Sequence, residues 1–313
     1  MHKLYTIGEA LIDFTPCGEG RYARNAGGAP ANVAVCAAKL GANSALVSKL
    51  GEDMFGDYLI NTLKGEGGDV GYISRTRAAN TALAFVTLTE GERSFTFYRN
   101  PSADMLLSES DVEDVPFEKG DILHFGSVDL VDYPVRKAHT MAIQRARMAG
   151  ATISFDPNLR FNLWRSGEEL LSSVNAFLPN ADVLKLSEDE LFAIAGTADE
   201  EQAVKFMFRG EVKLIFVTRG GRGATVYTAG GKTYSVPAEK VSCVDSTGAG
   251  DCFTGTILFQ LLRDDVVRGK LGECADELEI YLKTANRAAG LCVSRFGAIP
   301  AMPSAANNFL SGF

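Results

Sequence analysis

With 313 residues, 46% of them hydrophobic and 22% charged, the chain has the composition of a globular protein large enough for a sizeable α/β core. Its net charge of −8 argues against a nucleic-acid partner, which would need clustered Lys and Arg, and no apolar run approaches the roughly 18 residues of a membrane span. The six cysteines, at 17, 36, 243, 252, 274 and 292, form no Cys-x-x-Cys pair and have no His at zinc-ligand spacing, so free thiols and a cytoplasmic location are expected.

The first predicted element is a strand from Leu4 to Gly8 that continues through Glu9 towards Asp13. An acidic residue at the exit of a first parallel strand lies where open α/β sheets bind ligands; the same residue reads equally as a solvated strand end. Residues 15–26, with Gly18 and Gly20, predict a short hairpin. In Asn25-Ala-Gly27-Gly28-Ala-Pro30-Ala-Asn32, Pro30 suits the first turn of a helix with Val33, Cys36, Ala37 and Leu40 on its buried face. Gly27 and Gly28 then precede the helix and Asn32 sits in its first turn, which offers backbone donors and one amide to a sugar.

Residues 81–99 predict a second hairpin around a Glu90-Gly91-Glu92 turn. Phe85, Phe95 and Phe97 on its exposed faces are costly to leave in water, so the hairpin sheets of two subunits are expected to pair. From residue 121 onward, strand-like runs at 121–126, 151–155, 182–186 and 212–218 are separated by amphipathic stretches such as 134–149 and 168–178. That rhythm predicts βαβ units and a mostly parallel sheet. Residues 224–236 read as a hairpin and 277–294 as a closing helix.

The most informative stretch is Val244-Asp-Ser-Thr-Gly248-Ala249-Gly250-Asp251-Cys-Phe253, read as a junction between a strand and a helix whose first turn holds the two glycines. Free N–H groups at the positive end of a helix form an anion site, and small residues let a ligand approach the backbone. Asp251 beside that turn is expected to stay ionised and to take the proton of an attacking alcohol, which points to phosphoryl transfer. Taken alone, Gly-Ala-Gly-Asp reads equally as a plain helix cap. Cys252 in the same turn is either a thiol activated by the helix end or an inert buried one.

The full stretch closely resembles the C-terminal signature of the ribokinase-like, or PfkB, sugar kinases, with Ser246 in place of the commoner Thr. Gly-Gly-x-Pro-x-Asn at 27–32, Leu40-Gly41 and Gly51-Glu-Asp53-x-Phe55-Gly56 resemble the N-terminal half of the same family. Tyr98-Arg99-Asn100-Pro101 and Asp156-Pro-Asn158-Leu-Arg160 are similar to its fructokinase branch in particular. The resemblance implies a single ribokinase-like α/β domain over 1–313, with a mostly parallel central sheet flanked by helices and a small β-sheet lid built from about 15–26 and 81–99.

It also implies an ATP-dependent kinase acting on a free sugar, fructose foremost, with Mg²⁺ and K⁺ as ions. The acceptor alternatives are ribose, a nucleoside such as aminoimidazole riboside, or 2-keto-3-deoxygluconate. A sugar-binding sensor without catalysis is the reading from another class. A nicotinamide dehydrogenase is disfavoured because no Gly-x-Gly-x-x-Gly follows the first strand.

Residue by residue, the resemblance makes Asp251 the base and Gly248, Ala249 and Gly250 the anion hole, with Arg160 meeting the transferring phosphate. Asp13, Gly27, Gly28, Asn32 and Arg99 become the sugar shell. Lys185 and Ser187 lie in the family's Asn-x-x-Glu position, where Ser187 replaces the Asn and puts its direct amide contact in doubt; the kept Glu190 is expected to act through water on Mg²⁺. Ser187 is also a ready helix cap. Thr218, Gly220 and Gly223 match the nucleotide loop, Asn286 an adenine-side contact, and Asp245 with the 292–301 loop a monovalent-cation site.

Overall fold

A computed structural model describes residues 2–89, 92–307 and 309; Glu90 and Gly91 of the expected hairpin turn lie outside the described residues. The strands, in chain order, are β1 (Lys3–Ile7), β2 (Leu11–Pro16), β3 (Tyr22–Gly27), β4 (Asn43–Gly51), β5 (Ile73–Thr76), β6 (Leu83–Thr89), β7 (Glu92–Tyr98), β8 (Ile122–Phe125), β9 (Thr152–Phe155), β10 (Val183–Ser187), β11 (Leu214–Thr218), β12 (Ala224–Thr228) and β13 (Thr233–Val236). Nine of them form one sheet in the order β13-β12-β11-β10-β9-β8-β1-β4-β5, and β3-β2-β6-β7 form a second.

From β11 across to β5 every pairing in the large sheet is parallel, and only the β12 and β13 edge runs antiparallel. Parallel strands are covered on both faces, and Ile122–Phe125, Thr152–Phe155 and Leu214–Val217 are fully buried; their polar exceptions include His124 and Ser154, which hydrogen-bond to each other at 3.0 Å. Helices Ala29–Lys39, Ala249–Arg263 and Leu278–Val293 build the core on one face, around Val33, Cys36, Phe253, Leu258 and Leu282. Helices Pro134–Ala149, Gly167–Phe177, Glu188–Ala195 and Glu200–Met207 build the other, around Phe125, Phe155, Leu170 and Leu191. The 134–149 and 168–178 amphipathic stretches thus form the expected helices.

Parallel pairing brings the carboxyl ends of β1, β8, β9, β10 and β11 to one edge. Ligands in open α/β sheets bind there, because the loops that leave the strands diverge to opposite faces. The second sheet stands over this edge. It begins earlier than expected: β2 starts at Leu11, so Asp13 lies within the small sheet opposite Asn25, and not at the exit of a main-sheet strand. Gly8 breaks the run, with φ 141° and a backbone N–H donated to Val47.

One close helix contact decides the geometry of the site. A Cβ on Gly255 would lie 2.7 Å from Cys36 Cβ and 3.0 Å from the Val33 carbonyl oxygen, so the helices Ala249–Arg263 and Ala29–Lys39 approach at backbone distance. No larger residue fits without moving one helix. The first turns of both helices are thereby brought together at the sheet edge.

The two faces of the small sheet have different roles. Leu11, Ala82 and Ala84 pack with Phe95 and Phe97 on the face that looks onto the sheet edge. On the other face Phe14 and Phe85 stack at 4.7 Å, with Tyr22 and Tyr98 edge-on to Phe85 at 5.5 Å each. Phe95 and Phe97 therefore line an interior cavity; the outward apolar surface belongs to Phe85 and its tyrosine neighbours, which remain 47% and 62% exposed.

Candidate active site

The helix Ala249–Arg263 begins at Gly248, whose φ of 78° lies in the left-handed region that favours glycine. Gly248 is thus the cap, not part of the first turn, and Ala249, Gly250 and Asp251 are the first three helical residues. The strand expected directly before this turn ends at Val236, and 237–248 is irregular. Ser246, Thr247 and the Gly248–Asp251 turn form one wall of a cavity of about 350 Å³.

Nine of the predicted residues line that one cavity: Asp13, Gly28, Asn32, Arg160, Lys185, Gly248, Ala249, Gly250 and Asp251. Phe95 and Phe97 of β7 roof it. Gly27 stands just behind, where a Cβ would lie 2.2 Å from Asp13 Oδ2, so only a bare backbone lets the Asp13 carboxylate sit there. Gly28, at φ 101°, would collide with the Glu9 carbonyl oxygen at 2.5 Å if it carried a Cβ.

Asn32 does more than offer an amide to a sugar. Its Nδ2 donates to Asp251 Oδ2 at 2.8 Å across 219 residues, while its buried Oδ1 has no protein partner. Burial pushes the Asp251 carboxyl up to about 6; Asp156 adds to the rise, against the Asn32 amide, Lys185 and Arg160. The expected effect of the positive helix end is therefore outweighed, and Asp251 is ionised at neutral pH by about a unit only. Asp13 is pushed up to about 7, by burial first and by the Asp251 charge second.

Lys185 Nζ pairs with Asp156 Oδ2 at 3.0 Å, and Thr254 Oγ1 donates to the same oxygen at 3.2 Å. A Cβ on Gly250 would lie 3.0 Å from Lys185 Nζ, so the ammonium sits directly against the helix N-terminus. Burial works against its charge, but Asp156 and Glu190 hold its pKa above the usual lysine value. A cation at the positive end of a helix is electrostatically opposed unless an anion comes between them.

Other expectations are corrected. Arg99 does not reach the cavity: its buried guanidinium donates to Asp104 at 2.9 and 2.6 Å, to Asp129, and to the Val128 carbonyl at 3.3 Å. Its charge is committed to a buried ion cluster that ties the end of β7 to the main sheet. Asn286 is buried and donates to the Val236 and Pro237 carbonyls at 3.0 and 3.4 Å, which fixes the end of β13. Ser187 caps the helix Glu188–Ala195 in a capping box with Glu190, as the cap reading of Ser187 expected. Cys252 is buried 3.8 Å from Cys36 Sγ; contacts with Cys292 and Cys36, together with burial, push its thiol well above the ordinary cysteine range, so the inert reading holds.

Thr218 ends β11, where its Oγ1 donates to the Leu186 carbonyl at 3.3 Å, and Gly220 and Gly223 occupy the turn that follows, with Gly220 facing open space. Asp245 lines a neighbouring cavity of about 400 Å³, apolar for the most part, that adjoins the first at Asp13, Phe95 and Thr247. Its Oδ1 accepts from Thr247 N at 2.9 Å and its Oδ2 from Gly297 N at 3.1 Å, which joins the two loops named in the cation expectation. Glu9, Asn158, Ser246 and Thr247 are polar lining residues outside the expected set. Glu9 accepts from Ala29 N at 3.0 Å and so caps the helix Ala29–Lys39 from outside; its position four residues before Asp13 was the available signal. Asn158 lies in the same motif as Arg160.

The chain matches the pfkB family carbohydrate kinase model over residues 1–305. It belongs to the pfkB family of carbohydrate kinases. A probable fructokinase-5 from Arabidopsis thaliana is 41% identical over 313 residues, covering 97% of this chain and 95% of the relative. Among solved structures, fructokinase with bound ATP from Xylella fastidiosa superimposes with a TM-score of 0.92 at 36% identity, covering 99% of this chain and 97% of the other. Fructokinase from Vibrio cholerae in its fructose-, ADP- and calcium-bound form gives 0.89 at 35% identity, with 99% and 98% covered. The nine-stranded sheet, its flanking helices and the small second sheet are the ribokinase-like architecture, and this pfkB kinase carries the glycine turn with Asp251 at its sheet edge.

Proposed function

We propose that the chain transfers the γ-phosphoryl group of ATP to the 6-hydroxyl of fructose. The observation that carries the chemistry is Asp251, held by Asn32 in the first turn of a glycine-headed helix and facing a cavity of the size of a small-molecule site. The sugar lies between Asp13, the Gly27-Gly28 backbone and the Phe95–Phe97 roof. Asp251 takes the hydroxyl proton as the sugar oxygen bonds to the γ-phosphorus and the bond to the β,γ-bridging oxygen breaks, releasing ADP. First-turn N–H groups, Lys185 and Arg160 receive the charge that spreads over the phosphoryl oxygens. Thr218, Gly220 and Gly223 flank the nucleotide; Ser187 and Asn286 act as structural ties beside it.

Among the described residues no group of three or more His, Cys, Asp or Glu is arranged to hold a metal ion. Magnesium enters with ATP, bound to its phosphates and to water, and Glu190 acts on it through that water. The loop pairing built by Asp245 is compatible with backbone carbonyls around K⁺. A homodimer through the outward Phe14–Phe85–Tyr22–Tyr98 face is supported by that exposed aromatic cluster. Among the described residues no helix is long and apolar enough to cross a membrane. The six free cysteines support a cytoplasmic location.

The cavity lining carries two cations, Arg160 and Lys185, and both neighbour Asp251. With Arg99 committed elsewhere, the described lining offers no second cationic set for a phosphate already on the acceptor. In a coupled ADP-release assay over sugars and nucleosides, fructose is expected to give the highest kcat/KM and fructose 6-phosphate a far lower one. A tenfold preference for fructose 6-phosphate, ribose or a nucleoside would overturn the acceptor assignment, and no turnover with any acceptor would favour the sugar-binding sensor.

The raised carboxyls set the pH response. Asp251 must be deprotonated to act, so kcat/KM for fructose is expected to fall on acidification, with a break near pH 7 from Asp13 and a steeper decline below about 6 from Asp251. A profile flat down to pH 5 would exclude both carboxylates from the rate.

A further inference from the structure

Glu190 was expected to serve magnesium, yet the structure gives both its carboxylate oxygens to backbone donors. Oε2 accepts from Ser187 N at 2.8 Å, which closes the capping box of its own helix. Oε1 accepts from Leu159 N at 2.8 Å, across 31 residues. The first bond is local; the second joins the β10 turn to the loop that leaves β9.

That loop has reason to need a tie. Its first residues are anchored to the sheet, with Asp156 N donating to the Phe125 carbonyl and Ser127 N to the Pro157 carbonyl, both at 3.1 Å. Asn158 then adopts φ 46°, a left-handed conformation that costs a non-glycine residue energy and persists only where its surroundings impose it. Leu159 follows, bonded to Glu190, and Arg160 comes next at the cavity, exposed and with a guanidinium hydrogen bond only to the Leu159 carbonyl among those described. The Glu190–Leu159 bond holds the chain just before Arg160, and Leu163 N, donating to the Arg160 carbonyl at 2.9 Å, holds it just after.

We infer that Glu190 is a positioning residue for Arg160: its carboxylate clamps the Leu159 amide, fixes the strained Asn158 turn, and so aims the guanidinium at the phosphoryl site. This rests on the kinase reading and stands beside a water-mediated contact to magnesium, since each Glu190 oxygen accepts one backbone bond and keeps a lone pair.

The test combines hydrogen exchange with kinetics. In Glu190→Ala without ligands, the Leu159 amide is expected to exchange at least tenfold faster. Turnover should fall about 10- to 100-fold, while adding Glu190→Ala to Arg160→Ala should cost less than threefold more, since residues that act as a unit are non-additive. Unchanged exchange at Leu159, or full additivity with Arg160→Ala, would each overturn the assignment. Glu190→Gln, which keeps the shape and one acceptor oxygen, should give the same pattern at smaller amplitude and serves if the alanine variant is unstable. If the parent protein phosphorylates no sugar, the kinase reading fails, and the exchange result still decides whether the clamp exists.

Discussion

Asp251→Asn is expected to lower kcat with fructose by at least about a hundredfold, the lower end of what loss of a general base costs. The asparagine has the same shape and can still accept the Asn32 amide, now 2.8 Å from Asp251 Oδ2, so the two helix ends stay together. Burial already disfavours the Asp251 charge, so a neutral side chain there relieves that cost, and its new amide N–H groups lie at the cavity. The variant should therefore keep the parent's thermal midpoint and its affinity for ATP while losing turnover. Activity within a few-fold of the parent would remove Asp251 from the role of base.

Lys185→Met is expected to reduce kcat by about 10²–10³-fold, the scale of losing one group that stabilises transition-state charge. The KM for fructose should change little, because the ammonium lies against Gly250 at the helix end and not at Asp13. The substitution also strands Asp156, whose Oδ1 is already buried without a partner, and an uncompensated buried charge is strongly destabilising. Lys185→Met is therefore best made together with Asp156→Asn, with Asp156→Asn alone as the reference. If the pair is no slower than the reference, Lys185 serves Asp156 and not the phosphoryl group.

The readings that depended on neighbours along the chain survived well. Pro30 after two glycines marked a helix start, the βαβ rhythm from residue 121 marked the parallel strands, and Gly248 to Asp251 marked the helix end that lines the cavity. The readings that failed needed a partner distant in sequence. Arg99 looked available to a sugar because the motif does not show that the chain folds back to place Asp104, five residues on, and Asp129, thirty residues on, against its guanidinium. Phe95 and Phe97 looked like an outward surface because alternation shows that two faces differ but not which one is covered.

Glu190 illustrates the same division within a single carboxylate. Its bond to Ser187 is the capping box written in Ser-x-x-Glu, whereas its bond to Leu159 depends on β9 and β10 lying side by side. Family, element order and the identity of the glycine turns were determined by the sequence alone, since backbone propensity and hydrophobic period act over a few residues. Which side chains converge at the sheet edge, and how far burial moves the Asp13 and Asp251 carboxyls, was decided only by the tertiary structure. Strand order and helix approach at Gly255 set those distances, and the field at a buried carboxylate is the sum over groups brought together from the whole chain.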